Sequence, residues 1–172
     1  MTTSDLNKKE FDIYYKRYIN KLPKNVNLLK GFTRGKNNIM DFFKSIPKEK
    51  LNHSYAPRKW SVKEILQHLI DTERIFMYRC FRIARNDKTA LASFDQNIYI
   101  NPSNASNKSI ETLLDEFSAV RENSISLINS LSDENLKYMG NSNGGAMSAR
   151  AAAFIIIGHD IWHMNIIKEK YL

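Results

Sequence analysis

Apolar residues recur at helical spacing in four long stretches of this 172-residue chain, and the joins between them are unequal. That inequality limits the fold more than any other feature. The first stretch, residues 25–46, carries Leu28, Leu29, Phe32, Ile39, Phe43 and Ile46 on one face. Gly31 and Gly35 weaken it and Pro47 stops it. A shorter helical piece is expected over residues 9–20. The second stretch opens on Ser61-Val62-Lys63-Glu64, a capping box, with Trp60 and Ile65 placed as a hydrophobic staple. It runs to residue 85 and puts Val62, Ile65, Leu66, Leu69, Phe76, Cys80 and Ile83 on one side. The third, residues 109–131, carries Ile110, Leu113, Leu114, Phe117, Val120, Ser124, Leu127 and Leu131. Residues 141–145 form a turn cluster, after which Ser148 caps a fourth helix running to the end of the sequence. Strand signals are nearly absent: residues 97–100 are the only candidate, ended by Pro102. Short joins make helices one and two, and three and four, candidate antiparallel hairpins. Residues 86–108, between helices two and three, can instead cross the whole length of a bundle roughly 30 Å long. The expected fold is all-α, a four-helix bundle with one long crossover between helices 2 and 3 (down-up-up-down), the fourth helix antiparallel to the second.

The length predicts one domain, residues 1–172, with 1–24 as an N-terminal extension packing on the bundle. A chain of this size buries roughly two-thirds of its surface, so it needs no metal or disulfide merely to fold. Hydrophobic residues at 42% and charged residues at 26% exclude wholesale disorder. The single cysteine, Cys80, excludes a disulfide framework and any Cys-x-x-Cys motif, and reads as a small core residue. The most apolar run, residues 151–157, is far shorter than the ~20 residues of a membrane span. The polar N-terminus lacks the apolar centre of a signal peptide, so a cytoplasmic location is expected, with no membrane partner. The net charge of +8 is spread from Lys8 to Lys170 without a run of five. It reads as a solvated basic surface, and nucleic acid is not the expected partner.

Four histidines remain to be placed. His53 lies in a polar stretch and reads as an exposed loop residue. His159 and His163 stand four apart, about 40° from each other on one helical face. Ala152, Ile155, Ile156, Ile166 and Ile167 share that face. Two imidazoles in an isoleucine stripe need partners, because a buried unpaired polar group costs about 1–3 kcal/mol. The alternatives are a divalent metal or core hydrogen bonds to carbonyls or carboxylates. A third candidate favours metal. His68 lies about 9 Å along helix two, and His163 and His159 lie about 12 and 18 Å before the end of helix four, so antiparallel helices bring all three to nearly one level. Three neutral imidazoles with a position left open suit Zn, Ni, Co or Fe as divalent ions. The sequence His159-Asp160-Ile161-Trp162-His163 has the outline of a zinc-protease motif. Asp160 is one methylene shorter than the usual glutamate base, however, and no third protease ligand follows.

The segments Lys59 to Glu64, His68 to Arg74 and Gly158 to His163 closely resemble the DinB-like (YfiT-type) superfamily. The match extends to Tyr78-Arg79, residues 82–88, Phe94-Asp95-Gln96-Asn97 and residues 166–172. The resemblance implies a four-helix bundle with one crossover. It also implies a metal site of one histidine on helix two and a His-x-x-x-His pair on helix four, at His68, His159 and His163. Close relatives often read Gly-His-Glu-Leu-His-His there; this chain has Asp160 and Trp162 instead and keeps both histidines. Relatives include thiol-cofactor S-transferases, a thiol-dependent isomerase and metal-dependent hydrolases. A low-molecular-weight thiol is thus an implied cofactor beside the metal.

Other polar residues fall near this site. Glu73 and Arg121 lie on the core faces of helices two and three. They read as a buried ion pair or as a carboxylate orienting a histidine, against two charges reaching solvent along their stems. Asp71 and Asp160 are further acids that can support the histidines. Asp95, in the crossover, is a candidate base draped over the metal, with a turn residue as the alternative; Asp160 is the second catalytic candidate. The leading function is a metal-dependent enzyme activating water or a small thiol for hydrolysis or S-transfer on a small-molecule substrate. The alternative is a non-catalytic metal or small-ligand binding protein on the same bundle. Helix four has a second apolar side, Phe154, Ile157, Ile161 and Met164. A twofold homodimer covering it is slightly preferred to cover by Phe11, Ile13, Tyr14, Tyr15 and Tyr18 of the N-terminal segment.

Overall fold

A computed structural model describes residues 1–172. The N-terminal segment is a series of single turns ending in the short helix α1, Lys16–Ile19. The bundle helices are α2 (Leu28–Lys44), α3 (Val62–Ala84), α5 (Ile110–Asn129) and α7 (Ala149–Lys170). Two short helices lie between them, α4 (Asn97–Ser103) in the crossover and α6 (Asp133–Lys137) after α5, and a hairpin of β1 (Met139–Ser142) and β2 (Gly145–Ser148) leads into α7. The capping box forms as the sequence predicts. Ser61 Oγ accepts from Glu64 N at 3.3 Å, and the Glu64 carboxylate accepts from Ser61 N at 2.7 Å. Ser109 and Ser148 cap α5 and α7 by the same chemistry.

The bundle is all-α at its centre and its helices run down-up-up-down, but the expected hairpins are not neighbours. α2 packs on α5 and α7, and α3 packs on the same two. The pairs α2/α3 and α5/α7 face each other across the diagonals. Residues 45–61 and 130–148 are long enough to cross the bundle end, which the assumption of a tight helical hairpin overlooked. The start of α3 and the end of α7 meet where Tyr171 Oη donates to the Trp60 carbonyl at 2.7 Å, which makes these two helices antiparallel. Lys63 Nζ donates to the carbonyls of Ser106 and Lys108 at 2.5 and 2.8 Å. That fastens the end of the crossover beside the start of α3, so α5 begins parallel to it.

The core has two apolar halves. One gathers Phe32, Phe76, Ile83, Ile128 and the first two turns of α7; the other gathers Ile39, Phe43, Leu66, Leu69, Phe117 and Ile167. Between them lies a buried polar layer containing Glu73, Arg121 and Asp160. Cys80 is wholly buried among apolar side chains, which push its thiol up to about 12 and leave it an inert packing residue.

Three local expectations change. Residues 97–100 form the first turn of α4, not a strand; Pro102 lies inside that helix, one residue before its end, and the chain turns left-handed at Asn104. The helical piece expected at 9–20 is helical only from Lys16; before it the chain makes turns capped by Asn7 and Asp12. The turn cluster at 141–145 closes a hairpin, with Asn143 and Gly144 both at positive φ (55° and 77°), the pairing a two-residue turn demands. Its strands are four residues each and built mostly of glycine, alanine, serine and methionine, so no alternation announced them.

The second apolar side of α7 is covered from within the chain. Tyr15, Tyr18, Phe154 and Ile157 are buried in one cluster, and α1 lies along α7. Ile161 and Met164 are partly buried beside Leu22 and Pro23. The N-terminal segment thus covers the Phe154 and Ile157 part of this face, the alternative to the homodimer expected there. Ile13 and Tyr14, expected to take part, remain exposed at 76% and 48%. Glu10 fastens the segment further, accepting from Ser148 Oγ and Arg150 Nε, both at 2.7 Å. Docking depends on Gly158. A Cβ there would lie 2.2 Å from the Tyr18 carbonyl oxygen, and main chain cannot swing aside as a side chain can. Gly158→Ala should therefore cost about 1–3 kcal/mol, the range for overpacking, and free residues 1–24 for proteolysis. An unchanged denaturation midpoint and digestion pattern would show that the contact is not tight.

Candidate metal centre

His68 sits in the second turn of α3; His159 and His163 sit one turn apart on α7. Antiparallel packing of these helices brings the three rings together. His159 Nε2 lies 3.1 Å from His68 Nε2 and 3.1 Å from His163 Nε2. One ligand nitrogen from each ring falls within 4.8 Å of the others. All three residues are buried, at 8, 4 and 7% exposure. An aromatic ring backs each imidazole: Trp60 on His68 at 4.7 Å, Tyr18 on His159 at 5.0 Å and Trp162 on His163 at 4.7 Å between centroids. Thr72 Oγ1 lies 3.4 Å from His68 Nδ1. A proton on that Nδ1, shared with the hydroxyl, leaves Nε2 with its lone pair facing the cluster.

The donor set fits a divalent ion. Two nitrogens 3.1 Å apart, each ~2.0–2.1 Å from a common centre, subtend roughly 100° there, between octahedral and tetrahedral angles. No hydrogen-bond pattern serves three converging Nε2 atoms as well, because His159 Nε2 can share only one proton with its two neighbours. His163 Nδ1 is buried without a partner. The rings are also in the right charge state. Burial holds His68 down to about 4, and burial plus the neighbouring rings holds His159 and His163 well below the usual imidazole value. All three imidazoles are neutral at pH 7.

Glu73 and Arg121 form the buried pair expected of them. Arg121 Nε and Nη2 donate to the two Glu73 carboxylate oxygens at 2.8 and 2.9 Å, and Nη2 also donates to Asp160 Oδ2 at 2.6 Å. Glu73 therefore does not touch a histidine, and Asp160 is tied to a guanidinium instead of standing free as a base. One guanidinium serves two carboxylates. Burial, opposed by Arg121 and helped by the Glu73 charge, pushes the Asp160 carboxyl up to about 6. Arg121 stays charged, its two carboxylates outweighing the burial that opposes them. Asp160 adjoins His159 in sequence, so this layer fixes the azimuth of α7 where His159 and His163 project. Asp71 lies elsewhere: it accepts from Gln67 Nε2 and Arg74 Nη1, both at 3.1 Å, in a network on the outer side of α3. Asp95 is exposed and accepts from Asn97 N and Nδ2 at 2.8 and 2.9 Å, the turn role held as its alternative. His53 is exposed, edge-on to Tyr171.

A cavity of about 300 Å³ opens beside the cluster, with His68 and His159 in its wall and His163 behind them. Its other walls come from Tyr15 and Tyr18, from Thr72, Phe76 and Arg79 on α3, from Phe94 and Gln96 in the crossover, and from Ser142 and Asn143 in the hairpin. Leu91 joins the last two walls, its N–H donating to the Asn141 carbonyl at 2.9 Å and its carbonyl accepting from Asn143 N at 3.0 Å. Thr72 and Arg79 were missed as site residues although a signal existed. At four and eleven residues after His68 they share its helical face, within about 40°.

A family model described as the DinB superfamily matches residues 32–167. Two solved structures share the fold. YfiT from Bacillus subtilis, a probable metal-dependent hydrolase with an unusual four-helix bundle topology, superposes with a TM-score of 0.75 at 12% identity, over 95% of this chain and 90% of that one. The mycothiol-dependent maleylpyruvate isomerase superposes with a TM-score of 0.65 at 10% identity, over 99% of this chain. This chain spans 63% of the isomerase's length. At such identities the likeness concerns the fold alone. Among curated proteins, no sequence matches this chain significantly.

The depressed imidazole values fix a sign. Unfolded histidine takes a proton below about 6.5, while folded His68 resists until about 4, so in this window the unfolded state binds more protons and stability rises with pH. The metal-free protein should gain denaturant resistance from pH 4.5 to 6.5, and His68→Leu should flatten the rise; an equal slope in the variant would contradict the buried, neutral ring. Arg121→Met should cost about 3–5 kcal/mol, because it strands two buried carboxylates. A melting curve like the wild type's would mean that water reaches them.

Proposed function

The chain belongs to the DinB superfamily, and on that premise we propose that it is an enzyme whose divalent ion is held by His68, His159 and His163. The observation that carries this reading is the cavity: two of the three imidazoles face a space large enough for a small molecule. A purely structural site would close its ligand shell instead. The chemistry such an ion supplies is polarisation of a substrate oxygen and acidification of a water or small thiol. The chain's own residues do the rest. Thr72 keeps the His68 proton on Nδ1, Trp60, Tyr18 and Trp162 hold the ring planes, and the Arg121 layer holds α7 in register. Phe76, Phe94 and Ile155 make part of the cavity wall apolar and restrict water there. No cysteine or lysine lines the cavity, and neither of its serines, Ser93 and Ser142, bonds a histidine that could act as its base, which favours a nucleophile from solvent or from a small thiol. Hydrolysis and S-transfer to an electrophilic small molecule are the two reactions this arrangement supports, with Zn, Ni, Co or Fe as the metal.

Elemental analysis of protein purified without added metal should give one transition ion per chain. Re-adding Zn²⁺ to the stripped protein at a hundredfold excess over Kd should raise stability by about 2.7 kcal/mol, and His163→Ala should abolish the increment. Turnover in a panel of ester hydrolysis and thiol-transfer substrates should be lost on chelation and in His159→Ala. Turnover indifferent to both would remove the metal from the reaction; tight stoichiometric metal without any turnover would favour a binding protein.

A further inference from the structure

Three of the chain's arginines are buried: Arg79, Arg121 and Arg150. Two have carboxylate partners, Arg121 in Glu73 and Asp160 and Arg150 in Glu10. Arg79, at 2% exposure, has none within 4 Å. Its Nη2 donates to the Ala92 carbonyl at 3.0 Å, and its guanidinium carbon lies 4.8 Å from the centre of the Phe76 ring and 5.4 Å from that of Phe94. Its Nη1 is buried with no partner. Tyr15, close by, cannot neutralise it, because burial raises the phenol above its usual value and keeps it protonated. Asp12, the only carboxylate in the cavity wall, is exposed and accepts from Tyr14 N at 2.8 Å. A buried charge without an opposite charge is expensive, and the two other buried arginines show how this fold otherwise meets that cost.

The place of the unmatched charge is informative. In the whole chain three buried side-chain polar atoms lack partners: Arg79 Nη1, Ser142 Oγ and His163 Nδ1. The first two residues line the cavity, and the third belongs to the histidine cluster against it. Arg79 lies three turns along α3 from His68 on the same face, roughly 16 Å in axial rise. Its stem leans back toward the helix N-terminus and shortens that span.

We infer that Arg79, with Ser142 Oγ in the same wall, binds the anionic end of a small organic substrate, a carboxylate or phosphate, whose reacting end lies at the histidines. The inference rests on the metal-centre reading for the position of the reacting end, and not for the anion itself. A guanidinium gives a carboxylate or phosphate oxygen charge-assisted donors in a fixed plane, and the Ser142 hydroxyl adds a rotatable one. Phe76 and Phe94 hold the guanidinium plane without competing for the anion.

The test uses the full chain, metal-stripped and Zn²⁺-loaded, with succinate and inorganic phosphate as probes and succinamide as the uncharged control. Calorimetric titration of the stripped protein should show binding of at least one anion and none of succinamide. Succinate bound more tightly than phosphate assigns a carboxylate, and the reverse assigns a phosphate. Arg79→Met should weaken anion binding at least tenfold, keep Zn²⁺ binding unchanged and melt no lower than the wild type, the opposite of Arg121→Met. Should Arg79→Met fail to fold, Arg79→Lys and Ser142→Ala serve instead, each expected to weaken binding severalfold. Failure of both anions to bind, equal binding of succinamide, or undiminished affinity in the variants overturns the inference. Anion binding that persists while Zn²⁺ binding fails in the wild type overturns the metal reading and leaves the Arg79 site standing.

Discussion

One guanidinium joins all four helices of the bundle. Arg121 projects from α5, forks onto Glu73 of α3, reaches across the diagonal to Asp160 of α7 and lies 3.4 Å from the Phe32 carbonyl of α2. The helices joined by the two shorter connections, α2 with α3 and α5 with α7, are not neighbours in space, so the connections alone do not set which helices meet. The buried polar layer does. A buried ion pair contributes little net stability compared with well-packed apolar side chains, but every register that separates its members leaves charge stranded in a low dielectric. The layer thus acts by penalising wrong arrangements. Because Asp160 is next to His159, the same penalty fixes the direction in which the α7 histidines point.

The second consequence is electrostatic. The histidine cluster is neutral, since burial strips its protons, whereas the far end of the cavity carries a permanent positive charge on Arg79. The cavity is polarised along α3, with soft nitrogen donors at one end and a hard cationic donor group at the other. Such a cavity matches the two-ended substrate proposed for it, and the apolar rings of Phe76 and Phe94 in its wall restrict water.

Much of this was legible in the sequence, for local reasons. Capping boxes, i,i+4 spacing and apolar stripes act within one helix, so Ser61, the His159/His163 pair and the core face of α3 could be read directly. Glu73 and Arg121 were legible as charges on apolar faces, a conflict that only pairing resolves. What escaped is what depends on two distant segments meeting. The diagonal packing escaped because loop length permits it without requiring it. The β-hairpin escaped because its strands take their burial from Leu91 and Ile83, not from their own alternation. The covering of α7 escaped because it depends on a missing Cβ at Gly158. Arg79 escaped because its significance is the absence of a partner, visible only once all the others have been matched.

Those distant meetings also order events in time. Helical bundles generally fold fast because their contacts are local. Here the N-terminal segment, which gives Tyr15 and Tyr18 to the cavity wall, is fastened by Glu10 to Arg150, 140 positions away, a separation whose closure costs roughly 4 kcal/mol of chain entropy from the logarithmic scaling alone. Such a loop closes cheaply only after the bundle has shortened the distance between its ends. The histidines are brought side by side by contacts within the bundle, whereas the N-terminal wall of their cavity depends on a contact closed over 140 positions.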